Sequence, residues 1–155
     1  CEYPSNLEVA PREPNLRGFL YYPMAKLHQE LGNKDEAIRL LRITAGEESD
    51  FPTLGSYYQA LALRDLGETQ RANVIMAKLR EVARALVEEG KAPGYRWETG
   101  ELQKALGLYY LAKLEEAADA KEKAQSYLKK ANSLVPGVER QAVMLAQRVY
   151  ARAHQ

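Results

Sequence analysis

The sequence predicts an all-α protein of about three antiparallel helical hairpins stacked side by side, closed by a C-terminal capping helix. Three observations predict it. Ala60, Gly67 and Ala72 stand seven and five residues apart; Ala25, Gly32 and Ala37 repeat that spacing upstream; Ala112 and Ala124 return twelve apart downstream, with Asp119 in the glycine's place. A unit used three times is the mark of stacked repeats. Leu and Ala dominate the apolar residues while Ile and Val are scarce, which favours helix, because β-branched side chains prefer strands. Lastly, Gly32, Gly67, Gly90 and the pair Pro136-Gly137 each close a run of apolar residues at helical spacing, and glycine readily takes the left-handed conformation that ends a helix.

The elements follow in order. Residues 1–18 hold three of the seven prolines and read as an extended lead-in packed on the first hairpin. A single domain then occupies 19–155. The first helix begins between Leu16 and Tyr22 and ends at Leu31, with Pro23 either in its first turn or kinking it. The second spans Lys34–Thr44, with Ala37, Ile38, Leu41 and Ala45 on one stripe. The acidic link Gly46–Pro52 leads to a third helix, Thr53–Leu66. The fourth starts near Thr69, a candidate cap, and its stripe of Ala72, Ile75, Met76, Leu79, Val82, Ala83 and Leu86 carries it to Glu89. Lys91–Gly100 is the one real loop and holds the only Trp, Trp97. A fifth helix follows over Glu101–Ala117 and a sixth over Ala120–Leu134. The seventh, Val138–Ala153, presents Ala142, Leu145, Ala146 and Val149, and is expected to cover the open face of the last hairpin, since a terminal repeat needs a lid. The hairpins are thus about 19–45, 53–89 and 101–134.

The small residues recur because two closely crossing helices leave room only for a methyl group. That places Ala25 with Ala37, Ala60 with Ala72, and Ala112 with Ala124 at the crossings. Leu31 and Leu66 would fill the bottoms of their hairpins, and Leu41, Met76 and Leu128 would pack against the next one. This pattern resembles the tetratricopeptide repeat, in which a small residue of the first helix is followed by a turn Gly, an Ala of the second helix and often a closing Pro, here Pro136. The resemblance covers about residues 19–136, with some 17 residues inserted between the second and third units, whose separation is 52 against 35 for the first pair. It implies a right-handed superhelix and a non-catalytic role in protein binding. No Trp opens a unit, Pro23 intrudes in the first and Asp119 replaces a turn Gly. A narrower resemblance, carried by Tyr3-Pro4, Asn6-Leu7, Tyr21-Tyr22 and the run Tyr57–Leu63, is to the C-terminal repeat tail of large bacterial proteins that carry an upstream β-sandwich domain of unknown function and are associated with carbohydrate metabolism.

Function is legible only as a class. In such a stack the first helices line a concave face. The repeat register points Phe19, Leu54 and Leu106 there, then Tyr22, Tyr57 and Tyr109, then Lys26, Leu61 and Lys113, then Gln29, Arg64 and Glu116. A column of three tyrosines offers flat apolar area with a hydroxyl at low entropic cost, suited to a peptide or a sugar; the alternative is that the rings pack against neighbouring helices. Some family members hold a partner's terminal carboxylate with Lys and Asn at set groove positions. Tyr22, Tyr57 and Tyr109 stand in that Lys column and Pro23, Tyr58 and Tyr110 in the Asn column, so that recognition is not expected. Trp97 beside Arg96 is either an interface anchor or a plug pinning the loop to the fourth helix. His28 is expected in the core, bonded to a neighbour.

Other classes find no support. One cysteine, Cys1, allows neither an internal disulfide nor a thiolate cluster; it reads as a fragment boundary, or as the lipid-bearing residue of a bacterial lipoprotein. Two distant histidines give no metal spacing, and no phosphate loop, nucleophile elbow or dinucleotide fingerprint occurs. A net charge of +1, with Arg71, Lys78, Arg80 and Arg84 interleaved with Glu81 and Glu88, makes no nucleic-acid stripe. No apolar run nears the roughly 20 residues of a membrane span. The expectation is an interaction scaffold without cofactor or catalysis, whose partner is a protein, a peptide or another domain of its parent chain. Alternatives are an accessory domain lending aromatic residues to a sugar site, and a homodimerisation module through the fourth or seventh helix.

Overall fold

The computed structural model describes residues 17–47, 49, 51–95 and 99–153. Residues 1–16 of the lead-in with Cys1, the loop residue Trp97 and His154 lie outside them, while Arg17 and Gly18, expected in the extended lead-in, already belong to the first helix. The described residues form seven α-helices and no strands: α1 (Arg17–Glu30), α2 (Lys34–Ala45), α3 (Leu54–Asp65), α4 (Thr69–Glu88), α5 (Gly100–Ala117), α6 (Lys121–Leu134) and α7 (Val138–Ala153). Pro23 falls mid-way along α1, not in its first turn, and the helix continues through it.

Local chemistry sets the ends. Thr53 caps α3 with a reciprocal pair of bonds: its side chain accepts from Gly55 N at 3.1 Å, and its own N–H donates to Ser56 Oγ at 3.1 Å. Thr99 caps α5 by accepting from Leu102 N. Thr69, expected as a cap, is instead the first residue of α4; Glu68 holds the cap position without a side-chain bond. The three hairpin turns share one geometry. Gly32 and Gly67 take φ of +79° and +86°, and Asp119 takes φ +60° in the third turn. In each, the following N–H donates to the carbonyl five residues back: Asn33 to His28 at 2.8 Å, Glu68 to Leu63 at 2.8 Å, Ala120 to Glu115 at 2.9 Å.

Packing follows chain order. Each first helix packs on its own second helix, α1 on α2, α3 on α4 and α5 on α6, and each second helix packs on the next first helix, α2 on α3 and α4 on α5. First helices also touch along one side, α1 on α3 and α3 on α5. One core, with Leu40, Leu41, Ala60, Ala62 and Leu63, joins the first two hairpins. A larger one, with Leu79, Leu86, Leu106, Tyr109, Tyr110 and Leu145, joins the rest. Ala25, Ala37, Ala60, Ala72 and Ala112 are buried, while Ala124 is only half-buried. A close helix approach also occurs at a residue outside that set. A Cβ on Gly107 of α5 would stand 2.6 Å from the Ala83 carbonyl oxygen and 2.9 Å from both Leu86 Cβ and Val87 Cγ2 of α4.

Two expectations fail at hairpin ends. Leu31 does not fill the bottom of its hairpin but is 64% exposed, whereas Leu66 is half-buried on the first core. Leu41 is buried against the next hairpin and Met76 half-buried, but Leu128 is exposed, since α7, the helix after α6, packs on α5 and α3 instead. His28 is half-buried at the end of α1, its Nδ1 lying 3.3 Å from Asn33 Nδ2, and is not a core residue. The seventh helix packs on α5 of the last hairpin, as expected, and reaches α3 as well, so that it lies on the side lined by first helices.

Candidate functional site

The face of α1, α3 and α5 brings the expected residues together and then closes over most of them. Leu54, Tyr57, Leu61, Leu106 and Tyr109 are buried, sharing one core with Val138, Ala142 and Leu145 of α7. Two of the three tyrosines of the column, Tyr57 and Tyr109, are therefore packing beneath α7 on α3 and α5. Phe19 and Tyr22 are half-buried, each ring lying against Tyr58 at centroid distances of 5.2 and 6.0 Å.

The polar members of the face tie one first helix to the next. Lys26 Nζ and Tyr22 Oη both donate to Asp65 Oδ2 at 3.1 Å, linking α1 to the end of α3. Arg64 donates to the Ala117 carbonyl at 3.2 Å, linking α3 to the end of α5, where a helix gathers partial negative charge. Lys113 pairs with Glu116 at 3.0 Å and stands about 6 Å above the rings of Tyr57 and Tyr109, a cation–π arrangement. Burial, reinforced by the Asp65 charge and hydrogen bond, pushes the Tyr22 hydroxyl up to about 12. Burial likewise raises Tyr57, Tyr58 and Tyr109 above the usual phenol value.

What remains open is a cleft of about 300 Å³ where α5, α6 and the first turn of α7 meet. Tyr109, Ala112, Ala124 and Leu128 give it apolar walls; Lys113, Glu116, Lys121, Gln125 and Glu139 give it a rim of both charges. Of the residues expected on the concave face, Tyr109, Lys113 and Glu116 reach it. The Tyr109 hydroxyl is buried without a hydrogen-bond partner among the described residues.

Trp97 lies outside the described residues, so neither of its expected roles has a structural account. The loop is fixed by Tyr95, whose role sequence reasoning missed. Its hydroxyl donates to the Pro52 carbonyl at 2.7 Å and lies 3.0 Å from the Tyr110 hydroxyl, and its backbone carbonyl accepts from Gln103. Phe51 packs edge-on to Tyr95 and lies so close over Gly94 (φ +88°) that a Cβ there would collide with its ring. The loop after hairpin two is thereby clamped to the link before it. The Gly-Tyr pair was the only available sign. A second missed group is Glu115, buried on α5, which accepts from Arg80 of α4 at 2.8 Å and pairs with Lys123 of α6 at 3.4 Å. The Arg80 hydrogen bond leads the causes that hold its carboxyl below the usual range.

No helix among the described residues is long and apolar enough to cross a membrane. Comparison with protein-family profiles, curated proteins and solved structures finds no match for this chain.

Proposed function

We propose that this chain is a non-catalytic scaffold of tetratricopeptide-like hairpins that binds a segment of another protein, or of another domain of its parent chain, at the α5–α6–α7 cleft. The observation that supports this is the pairing of an open apolar hollow with a rim of both charges. Ala112, Ala124 and Leu128 accept an apolar side chain, while Lys113, Lys121, Glu116 and Glu139 offer charge partners to its neighbours. Glu115 of α5 ties α6 through Lys123 and α4 through Arg80, and α7 packs on α5, so the hollow is formed before a partner arrives and binding orders little besides the partner.

The test is a random-peptide display selection against the full chain, with Leu128→Glu as the counter-target. Leu128 is 40% exposed, so the variant keeps its fold. Enriched peptides carrying an apolar anchor that bind the parent chain, and bind Leu128→Glu at least about tenfold more weakly, support the cleft, a factor that a single lost apolar anchor accounts for. Enrichment of peptides indifferent to Leu128→Glu and to Ala124→Gln refutes it.

A further inference from the structure

The outer face of α1 carries a second surface, at the other end of the stack. Leu20, Met24, Leu27 and Leu31 recur at helical spacing and are 49%, 44%, 54% and 64% exposed. The spacing puts all four on one stripe.

The repeat register says what covers such a stripe. A shift of 35 residues carries the four positions onto Gly55, Gln59, Ala62 and Leu66 of α3. There Ala62 is fully buried, Leu66 packs on the same core as Leu40 and Leu41 of α2, and Gln59 Nε2 donates to the Ala45 carbonyl. A further 52 carries them onto Gly107, Leu111, Leu114 and Ala118 of α5. There Gly107 abuts Ala83 and Leu86 of α4, and Leu111 and Leu114 are buried. At both inner positions the stripe is thus covered by the second helix of the preceding hairpin. That helix runs antiparallel, as the pairs Gly107–Leu86 and Glu115–Arg80 show by advancing in opposite senses. Among the described residues, only at α1 is the same stripe bare, and there it bears the bulkiest apolar residues of the three.

We infer that the outer face of α1 is the docking surface for an amphipathic helix of another polypeptide, lying antiparallel to α1 in the place that α2 takes on α3. The α1 stripe projects long side chains, so the fitting partner presents alanine- and leucine-sized residues at positions i, i+3, i+4 and i+7 and keeps its charges on the far side. This surface is independent of the α5–α6–α7 cleft and stands or falls separately.

The test uses the full chain, isotope-labelled, and a lactam-bridged helical peptide with the sequence of residues 33–46. A control peptide of equal helicity carries Leu40→Gln and Leu41→Gln. The expected result is saturable NMR shifts centred on Leu20, Met24, Leu27 and Leu31. They weaken about tenfold or more with the control peptide or with a Leu27→Gln/Leu31→Gln chain, the factor expected on losing two leucine contacts. Shifts elsewhere, or none at millimolar peptide, overturn the inference. So do two other results: contacts from residues 1–16 to the stripe in the unliganded chain, and stripe shifts that track protein concentration as a sedimenting dimer forms. The first would mean the chain covers its own stripe, the second that the occupant is another copy.

Discussion

Replacing Gly107 by alanine sets two effects of opposite sign against each other. In an exposed helix interior the change stabilises by about 1 kcal/mol, because Gly is the weaker helix former. At Gly107 the new methyl would lie 2.6 Å from the Ala83 carbonyl oxygen and 2.9 Å from Leu86 Cβ and Val87 Cγ2. Two of the three clashing atoms, the carbonyl and a Cβ, belong to or sit next to the α4 backbone and cannot swing aside, so α4 and α5 must part by several tenths of an ångström. Overpacking of this kind costs about 1–3 kcal/mol, and a rigid neighbour sets the upper end. The net expectation is destabilisation of about 1–2 kcal/mol, a fall in Tm of about 2–8 °C for a chain of this size. Gly100→Ala is the control: nothing lies within 4 Å of its Cβ position, so it should leave Tm unchanged or raise it. Urea and thermal unfolding followed by circular dichroism read both. A Gly107→Ala protein as stable as the parent, with Gly100→Ala behaving normally, would refute the close α4–α5 approach and with it the seating of hairpin three on hairpin two.

Other predictions follow from single sites. Asp119 holds a left-handed φ of +60° where the two sister turns have glycine, so Asp119→Gly should stabilise by up to about 1 kcal/mol, while Gly67→Ala, with open space around it, should cost about 1 kcal/mol from backbone strain alone; urea midpoints with unchanged slope check both. Glu115→Gln should cost about 1–2 kcal/mol at neutral pH, discounted because Arg80 is partly solvated. The folded carboxyl titrates below its unfolded value of about 4.3, so its stabilisation is present above that pH and fades as pH falls; the gap between Glu115→Gln and parent should narrow below about pH 4. Raised tyrosines have the reverse sign. Tyr22, at about 12, and Tyr57, Tyr58 and Tyr109, also raised, favour the folded state fully below the unfolded phenol value of about 10 and lose that contribution as pH rises past it. The ionisation of these four should therefore coincide with helix loss above about pH 10, followed by tyrosinate absorbance against Phe variants at each position; their ionisation before any helix is lost would contradict their burial.

The element boundaries were legible because they rest on local chemistry. Turn glycines, Pro136 and 3.6-residue periodicity placed all seven helices within a residue or two, including the unusually long α4. The third turn was legible even without its glycine, since Asp119 adopts the conformation its position demands. The surfaces were not legible, because they depend on which helix lies over which. The register did put Tyr22, Tyr57 and Tyr109 on one side, but nothing in the periodicity of α7 tells whether its stripe of Ala142, Leu145 and Ala146 covers α6 or folds onto α3 and α5. That one placement carries Tyr57 and Tyr109 from an expected open face into the core and leaves Tyr22 half-buried. Gly107 was missed for a related reason: a helical glycine reads as weak propensity until a neighbour's backbone is seen against it.

The bare stripe on α1 and the covered ones on α3 and α5 differ in a way that stability can read. Each half-exposed Leu or Met forgoes about 1 kcal/mol relative to full burial, so the four together leave about 4 kcal/mol ungained, a sizeable fraction of a domain's net stability. Were these residues part of the chain's own core, polar replacement would carry the usual core penalty of about 2–5 kcal/mol for each large side chain lost. Among the described residues nothing buries them, and Leu and Gln are near-equal helix formers. Leu27→Gln and Leu31→Gln should each shift the stability of the isolated chain by no more than about 0.5 kcal/mol, while Leu114→Gln, at the position on α5 that corresponds to Leu27, should cost several times that. A core-sized penalty at Leu27 would show that the chain already buries this stripe in solution, and the surface would then be structural rather than a place for a partner helix.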